Sequence, residues 1–413
     1  MKNILKTITA LAVVSVLSLG IAACNKNSDG SEESKPFTYE YSLNAEKDGY
    51  TLTGYSISSD AKSLADKNDF EALAELFNGA LEEGETQYTA ETVRTLTVPA
   101  TYNELPVTKI ASNAIVNLPY IDKVVVTDAV EEIGLGAFVG LTSLKEIELP
   151  FVGKKLSSLD YVTNEKEFGY IFGTSESTGL TSCTQVYNDN GGDGASTVFY
   201  VPSSLKKVTV TGDNKKLDEK ETIRYRIVDD KKIKVGDDET GDDIITDELD
   251  VYSVAVQPYA FYGCSTIEEI SLAGDYDVIY EYTFANCTAL KTFAVPDGVT
   301  EIRKHAFDDC SALYTIDLNN VDIIGENAFE HCHALGSRTL AVGADVYGLV
   351  TKATVIGDYA FTGCNSLGSV KFDNAAAIGR YAFKDCEKVK LVGTVSALVT
   401  GDETWKKDTD KEE

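Results

Sequence analysis

The sequence predicts a repeat solenoid, mainly β with short helical turns, that carries a parallel sheet on one face. Three observations predict it. A frame of 22 or 23 residues recurs along the chain, each copy closes on alternating apolar residues, and one cysteine returns at the same place in six copies. A fixed period in this range marks an array of small stacked units.

The frame reads Ile-Gly-x-x-Ala-Phe-x-x-Cys-x-x-Leu-x-x-Ile-x-Leu. Copies start at Ile133, Val256, Ile279, Ile302, Ile324, Ile356 and Ile378, and their shared aromatics are Phe138, Phe261, Phe284, Phe307, Phe329, Phe361 and Phe383. A degenerate copy at Ile110 puts Ile115 in the aromatic position, and "VRTLTVP" from Val93 supplies a strand alone. The spacing is broken by an insertion after Phe138 and a ten-residue lengthening before Phe361. The closing Leu-x-x-Ile-x-Leu alternates as a half-buried strand does. One unit cannot bury its apolar side alone; stacked about 4.8 Å from identical neighbours, it can. The phenylalanines should then form an aromatic spine, with the alanines making room and the glycines marking a turn where backbone freedom helps. Gln257, Tyr280 and Arg303 replace the glycine, and Arg338 falls where isoleucine is expected, so that coil should be distorted.

Before the array, Lys2 and Lys6 precede an apolar run too short to be kept as a spanning helix, which reads as a secretory signal. Ile21-Ala22-Ala23-Cys24 resembles the lipobox of bacterial lipoproteins, which implies cleavage before Cys24 and its acylation. The divisions expected are a lipoprotein signal peptide at 1–23, a disordered tether at 24–36, N-terminal strands with an inserted helix at 37–92, the solenoid at 93–399 and a polar tail at 400–413. An elongated repeat and a charged insertion occupy about 151–253 of the solenoid.

Phe70, Leu73, Phe77 and Leu81 recur at helical spacing, with candidate caps at Ser59 or Asp60 and a stop at Gly79 or Gly84, predicting one helix that shields the first coil. From about Asp213 to Asp250, Ile223, Tyr225 and Ile227 alternate before a "DDKK" turn and Ile233 and Val235 follow it, predicting a projecting hairpin. The acidic run beyond it and "NDNGGDG" from Asn188 are solvated loops rather than calcium sites, since no register reproduces an EF-hand.

Acidic residues outnumber basic ones 66 to 37, which argues against nucleic acid as a partner. Cys183 falls in the long loop, whereas Cys264, Cys287, Cys310, Cys332, Cys364 and Cys386 share one repeat position and should form an inward column of inert thiols. "EHCHAL" holds two of the three histidines, but Cys332 belongs to that column while His331 and His333 occupy variable positions, so no joint site is expected. "GLGAFVG" at Gly134 mimics a dinucleotide loop, yet its Ala137 and Phe138 are core positions of the repeat. Two Ser-x-x-Lys matches, at Ser59 and Ser203, lack their companion motifs. No catalytic residue, metal or cofactor is expected.

The recurring frame resembles the bacterial BspA-like, treponemal-type leucine-rich repeats. "YTLTGY" with "TLTVPATYNELPVTKIASNAI" is similar to that family's N-terminal pattern, and the stretch from "FGYIFGTSESTGL" to "SSLKKVTVTG" resembles its elongated repeat; the likeness runs from Phe37 to Val399, apart from the helical insertion and the charged insertion, which do not match. The resemblance implies a right-handed leucine-rich-repeat superhelix, usually on secreted or surface proteins that bind something. The expectation is a lipid-anchored, extracytoplasmic recognition protein, exposed on the bacterial envelope, that binds a host or neighbour-cell protein or glycan and touches the membrane through its lipid only. The strands' solvent-side residues are the candidate contacts: Glu146, Glu148, Lys207, Thr209, Glu269, Ser271, Thr292, Ala294, Thr315, Asp317, Ser369 and Lys371. A ligand-free envelope spacer is the alternative, an enzyme a remote one, and assembly through the segment carrying Trp405 a third route to a partner.

Overall fold

The structure is a computed structural model that describes residues 35–81, 85–156, 163–188, 195–228, 231–234, 244–338, 340–342, 345–372, 376–392 and 395–398. The expected signal, Cys24, most of the tether and the tail with Trp405 lie outside the described residues, as do residues 189–194 and 235–243 of the two acidic loops.

Each Leu-x-x-Ile-x-Leu segment forms a short strand in a parallel ladder. The strands Thr95–Thr97, Lys123–Val125, Glu146–Leu149, Lys207–Val210, Glu269–Leu272, Thr292–Phe293 and Thr315–Ile316 pair in that order. Their inward residues, among them Ile147, Val208, Ile270, Phe293 and Ile316, are buried, so alternation sets which face meets the core. A second parallel ladder runs through the start of each frame, from Val278–Ile279 through Glu301–Ile302, Ile323–Ile324 and Val355–Ile356 to Ala376–Ile378 and Val395–Leu398. The array therefore carries two parallel ladders.

Between the ladders the Ala-Phe segment turns, and its backbone bonds straight to the next coil: Phe284 N–H donates to the Ala306 carbonyl at 2.9 Å, and Phe307 N–H to that of Ala328 at 2.8 Å. The rings stack, with Phe307–Phe329, Phe329–Phe361 and Phe361–Phe383 centroids each 5.2 Å apart and planes within 5°. The cysteine column lies alongside. The thiols of Cys287, Cys310, Cys332, Cys364 and Cys386 each donate to the phenylalanine carbonyl of the coil before, as Cys310 does to Phe284 and Cys332 to Phe307, both at 3.1 Å. A buried polar hydrogen is thereby satisfied in each of these coils.

The frame's glycines have a different cause from the one expected. A Cβ at Gly325, Gly357 or Gly379 would lie 2.5–2.7 Å from a backbone nitrogen of the neighbouring coil, so close approach excludes a side chain there. Positive φ falls instead on the residue before the alanine, as at Tyr259, His305 and Tyr359, and on the residue before the cysteine, as at Asn286, Asp309 and His331.

The insertions differ from expectation in detail. The N-terminal one is two helices, Ser59–Asp66 and Phe70–Asn78, capped by Ser58 and Asp69, whose side chains accept from Ala61 N–H and Ala72 N–H at 3.2 Å. Asn68, with φ 56°, breaks the run between them. Phe77 packs on Phe37 with centroids 4.7 Å apart, and Tyr39 donates to the carbonyl of Thr97 on the first ladder strand, so this end of the array is covered.

Within the elongated repeat, "FGYIF" forms a 3-10 turn, Phe168–Phe172, with both phenylalanines buried. Phe138 N–H donates to Ile171 on one side, while the Phe168 ring meets Phe261 at 5.1 Å on the other, so an extra coil bridges the gap in the spine. Cys183 is not in a loop. It sits on the strand Leu180–Asn188, buried, with its sulfur 3.7 Å from that of Cys264, and so continues the thiol column.

The charged insertion is a three-stranded antiparallel sheet rather than a hairpin: Asn214–Val228 pairs with both Lys231–Lys234 and Ile244–Val254, so the second half of the acidic run is a strand. Asn214 pins its base by bonding both backbone groups of Val256. The lengthening before Phe361 is a second hairpin, Leu340–Val342 with Asp345–Tyr347. Arg338 leaves the strand position and lies over the Tyr314 ring, 3.9 Å from its centroid, as the expected distortion of that coil requires. The coil regains the ladder through Leu349–Thr351, bridged from Leu318 and followed by Val370–Phe372 and Leu391–Val392. Among the described residues no helix is long and apolar enough to cross a membrane.

Candidate recognition face

Parallel register turns the outward residues of the first ladder into rows. One row runs Thr95, Lys123, Glu146, Lys207, Glu269, Thr292, Thr315, and the next runs Thr97, Val125, Glu148, Thr209, Ser271. Of the residues expected to make contacts, Glu146, Lys207, Glu269, Thr292 and Thr315 thus share one line, and Glu148, Thr209 and Ser271 share a second. Ala294 and Asp317 continue beyond the ends of their short strands, both exposed. Lys371 belongs to the continuing sheet after the hairpin, and Ser369 immediately precedes its strand, where the Ser369 hydroxyl accepts from Gly348 N–H.

The charged residues of this face meet one another. Lys123 Nζ stands 3.7 Å from Glu146, and Lys207 Nζ 3.0 Å from Glu269. Beside them a third row alternates Arg94, Asp122, Lys145, then Lys206, Glu268, Lys291: Arg94 is 2.9 Å from Asp122, and Glu268 is flanked by Lys206 and Lys291. The bond from Lys291 holds the Glu268 carboxyl below its ordinary range, and the bond to Glu269 holds the Lys207 ammonium above its own. Toward the C-terminal end the rows pass from charges to the hydroxyls of Ser271, Thr292 and Thr315. The surface offers hydrogen-bonding groups at regular spacing on a buried apolar base, which suits a polar, wet contact.

The turn between the ladders holds the groups that sequence reasoning passed over. Cys332 is turned inward as expected, and its thiol is pushed well up in pKa by burial. The preceding coil, however, lays Asp308 and Asp309 beside Glu330 and His331. His305 Nδ1 lies 2.9 Å from Asp308 Oδ2, and its ring stacks on Tyr282 with centroids 4.6 Å apart. Carboxylate and imidazole atoms of His305, Asp308 and Glu330, and of Asp308, Asp309 and His331, lie within 4.8 Å of one another in each set. Asp309 and His331 occupy one frame position in consecutive coils, so the juxtaposition could have been found by reading columns rather than single motifs. His333 faces elsewhere, its Nδ1 2.9 Å from the Gly363 carbonyl.

Stacked coils with a parallel ladder of Leu-x-x-Ile-x-Leu strands define a leucine-rich-repeat protein. The family described as "BspA type Leucine rich repeat region" matches in six copies over residues 95–162 and 254–390, and the chain belongs to it. A leucine-rich repeat protein from Bacteroides ovatus is similar at 15% identity and a TM-score of 0.37, over 86% of this chain and 70% of that one. A leucine rich cell surface protein from Faecalibacterium prausnitzii is similar at 18% identity and 0.28, over 90% and 76%. The leucine-rich repeat protein of T. pallidum gives 16% and 0.28, over 85% and 88%. Comparison with curated proteins found no match.

Proposed function

We propose that the chain is an extracytoplasmic recognition protein, lipid-anchored at Cys24 to the bacterial envelope, that presents the outward face of its first ladder to a protein or glycan. The observation that carries this reading is the register. Half-exposed polar side chains from consecutive coils fall in straight rows on strands whose opposite side is buried, so their spacing is held by the core. Rigid spacing lowers the ordering cost of binding an extended or repeating partner. Membership of the BspA-type repeat family supports the surface location. Screening the soluble chain from Lys35 onward against glycan and protein arrays together tests the reading: a saturable partner is expected. Labelling with a fatty-acid analogue in a bacterial host should be lost in Cys24→Ala.

The ion pairs favour a second reading. Lys207 and Glu269 already satisfy each other, as an unliganded envelope spacer would have them do. That reading predicts retention in the envelope and no saturable partner in the same screen.

A further inference from the structure

We propose that Asp308, Asp309 and His331 form a binding site for a divalent transition-metal ion, with zinc as the best match to one imidazole and two carboxylates. His331 Nδ1 is 3.6 Å from Asp309 Oδ1 and 3.9 Å from Asp308 Oδ1. Both distances exceed a hydrogen bond. They approach the separation of about 3.3 Å that two ligand atoms take when each is about 2.0 Å from a tetrahedral zinc.

A second observation singles out Asp308. Its Oδ1 is shielded from water and has no hydrogen-bond partner among the described residues, although its other oxygen is held by His305. A buried carboxyl oxygen left without a partner is costly, and a cation would meet that need. The bond from His305 fixes the carboxyl plane and keeps Oδ1 directed at His331, the orienting role that outer groups commonly play around a metal.

The neighbouring set of His305, Asp308 and Glu330 is the weaker candidate, because its lone pairs are in use: His305 Nδ1 is bonded to Asp308, and Glu330 accepts from Asn327. Left-handed backbone at Asp309 and His331 suits their residue types. It does not account for Asp308, whose position is Val139, Tyr262, Ala285, Glu330, Thr362 and Lys384 in other coils. His331 and Asp309 are 44% and 46% exposed, so an ion can enter and a fourth position stays open to water. Asp308 and Asp309 belong to one coil and His331 to the next, and a bound ion would therefore clip two coils of the array together.

Calorimetric titration of the reduced full chain with zinc chloride alone tests this site. One equivalent is expected to bind at micromolar concentration, with a rise in melting temperature. Asp308→Asn and His331→Gln should each weaken binding at least tenfold, and His333→Ala should leave it unchanged. Absence of binding up to about millimolar zinc, or equal binding by the wild type and both variants, would overturn the proposal.

Discussion

Lys207 Nζ stands 3.0 Å from Glu269 Oε1 across one step of the parallel ladder, on a face where Lys123 and Glu146 repeat the same relation. Charges on the recognition face are therefore arranged by register, and their pairing sets what that face can offer a partner.

The pair itself should contribute little to stability. Its side chains are 40% and 51% exposed, and pairs of this kind couple by about 0.2–1 kcal/mol. A double-mutant cycle of Lys207→Ala and Glu269→Ala, followed by denaturant unfolding, should give a coupling in that range that shrinks in high salt. A larger coupling would mean that the face is a stabilising network.

The spine should contribute much more. Phe329 is fully buried between Phe307 and Phe361, and Phe329→Ala removes two stacked contacts at once. About 3–5 kcal/mol of destabilisation is expected, with Phe329→Leu costing markedly less. Equal losses from both substitutions would show that the ring stack, lost in both, outweighs the buried volume that leucine keeps.

All seven described cysteines are free and buried, and burial raises the pKa of most of the column. A thiol reagent should find them unreactive in the native chain and should count seven of them after unfolding without reductant. A count of five would point to oxidation of Cys183 with Cys264, the pair in sulfur contact.

Much of this was readable in advance, and the parts that were not share a physical reason. Ala-Phe-x-x-Cys fixes the depth of three side chains in each coil, so the spine, the thiol column and the outward rows follow from alignment alone. Phe168 and Phe172 escaped because a 3-10 turn fills the place of an Ala-Phe segment without its spacing. Cys183 escaped because it reaches the column from a hairpin strand rather than from a repeat. The cluster around Asp308 is invisible in any one coil, since it exists only between two.

Glu167 is buried with neither carboxylate oxygen partnered among the described residues, and burial pushes its pKa from 4.5 up to about 9. The folded chain thus keeps a proton that the unfolded chain releases. This group's contribution to stability is complete below its unfolded value of 4.5 and is lost as pH rises toward about 9. Glu167→Gln should flatten that slope between about pH 5 and pH 8 and be more stable than the wild type at the upper end, by a few kcal/mol at about 1.4 per pH unit. Thermal melts across that range check it; parallel pH dependence in both chains would contradict it.

The face itself is tested most directly by measuring the affinity of the soluble chain for its array-selected partner in the wild type and in Thr209→Arg/Ser271→Arg. Those residues are adjacent in the second row and only half-exposed, so two long cations there disturb any ligand seated across the strands while leaving the core intact. The expected result is loss of saturable binding with an unchanged melting temperature. Binding that survives this change and disappears only when the 213–250 insertion is replaced would contradict recognition through the sheet.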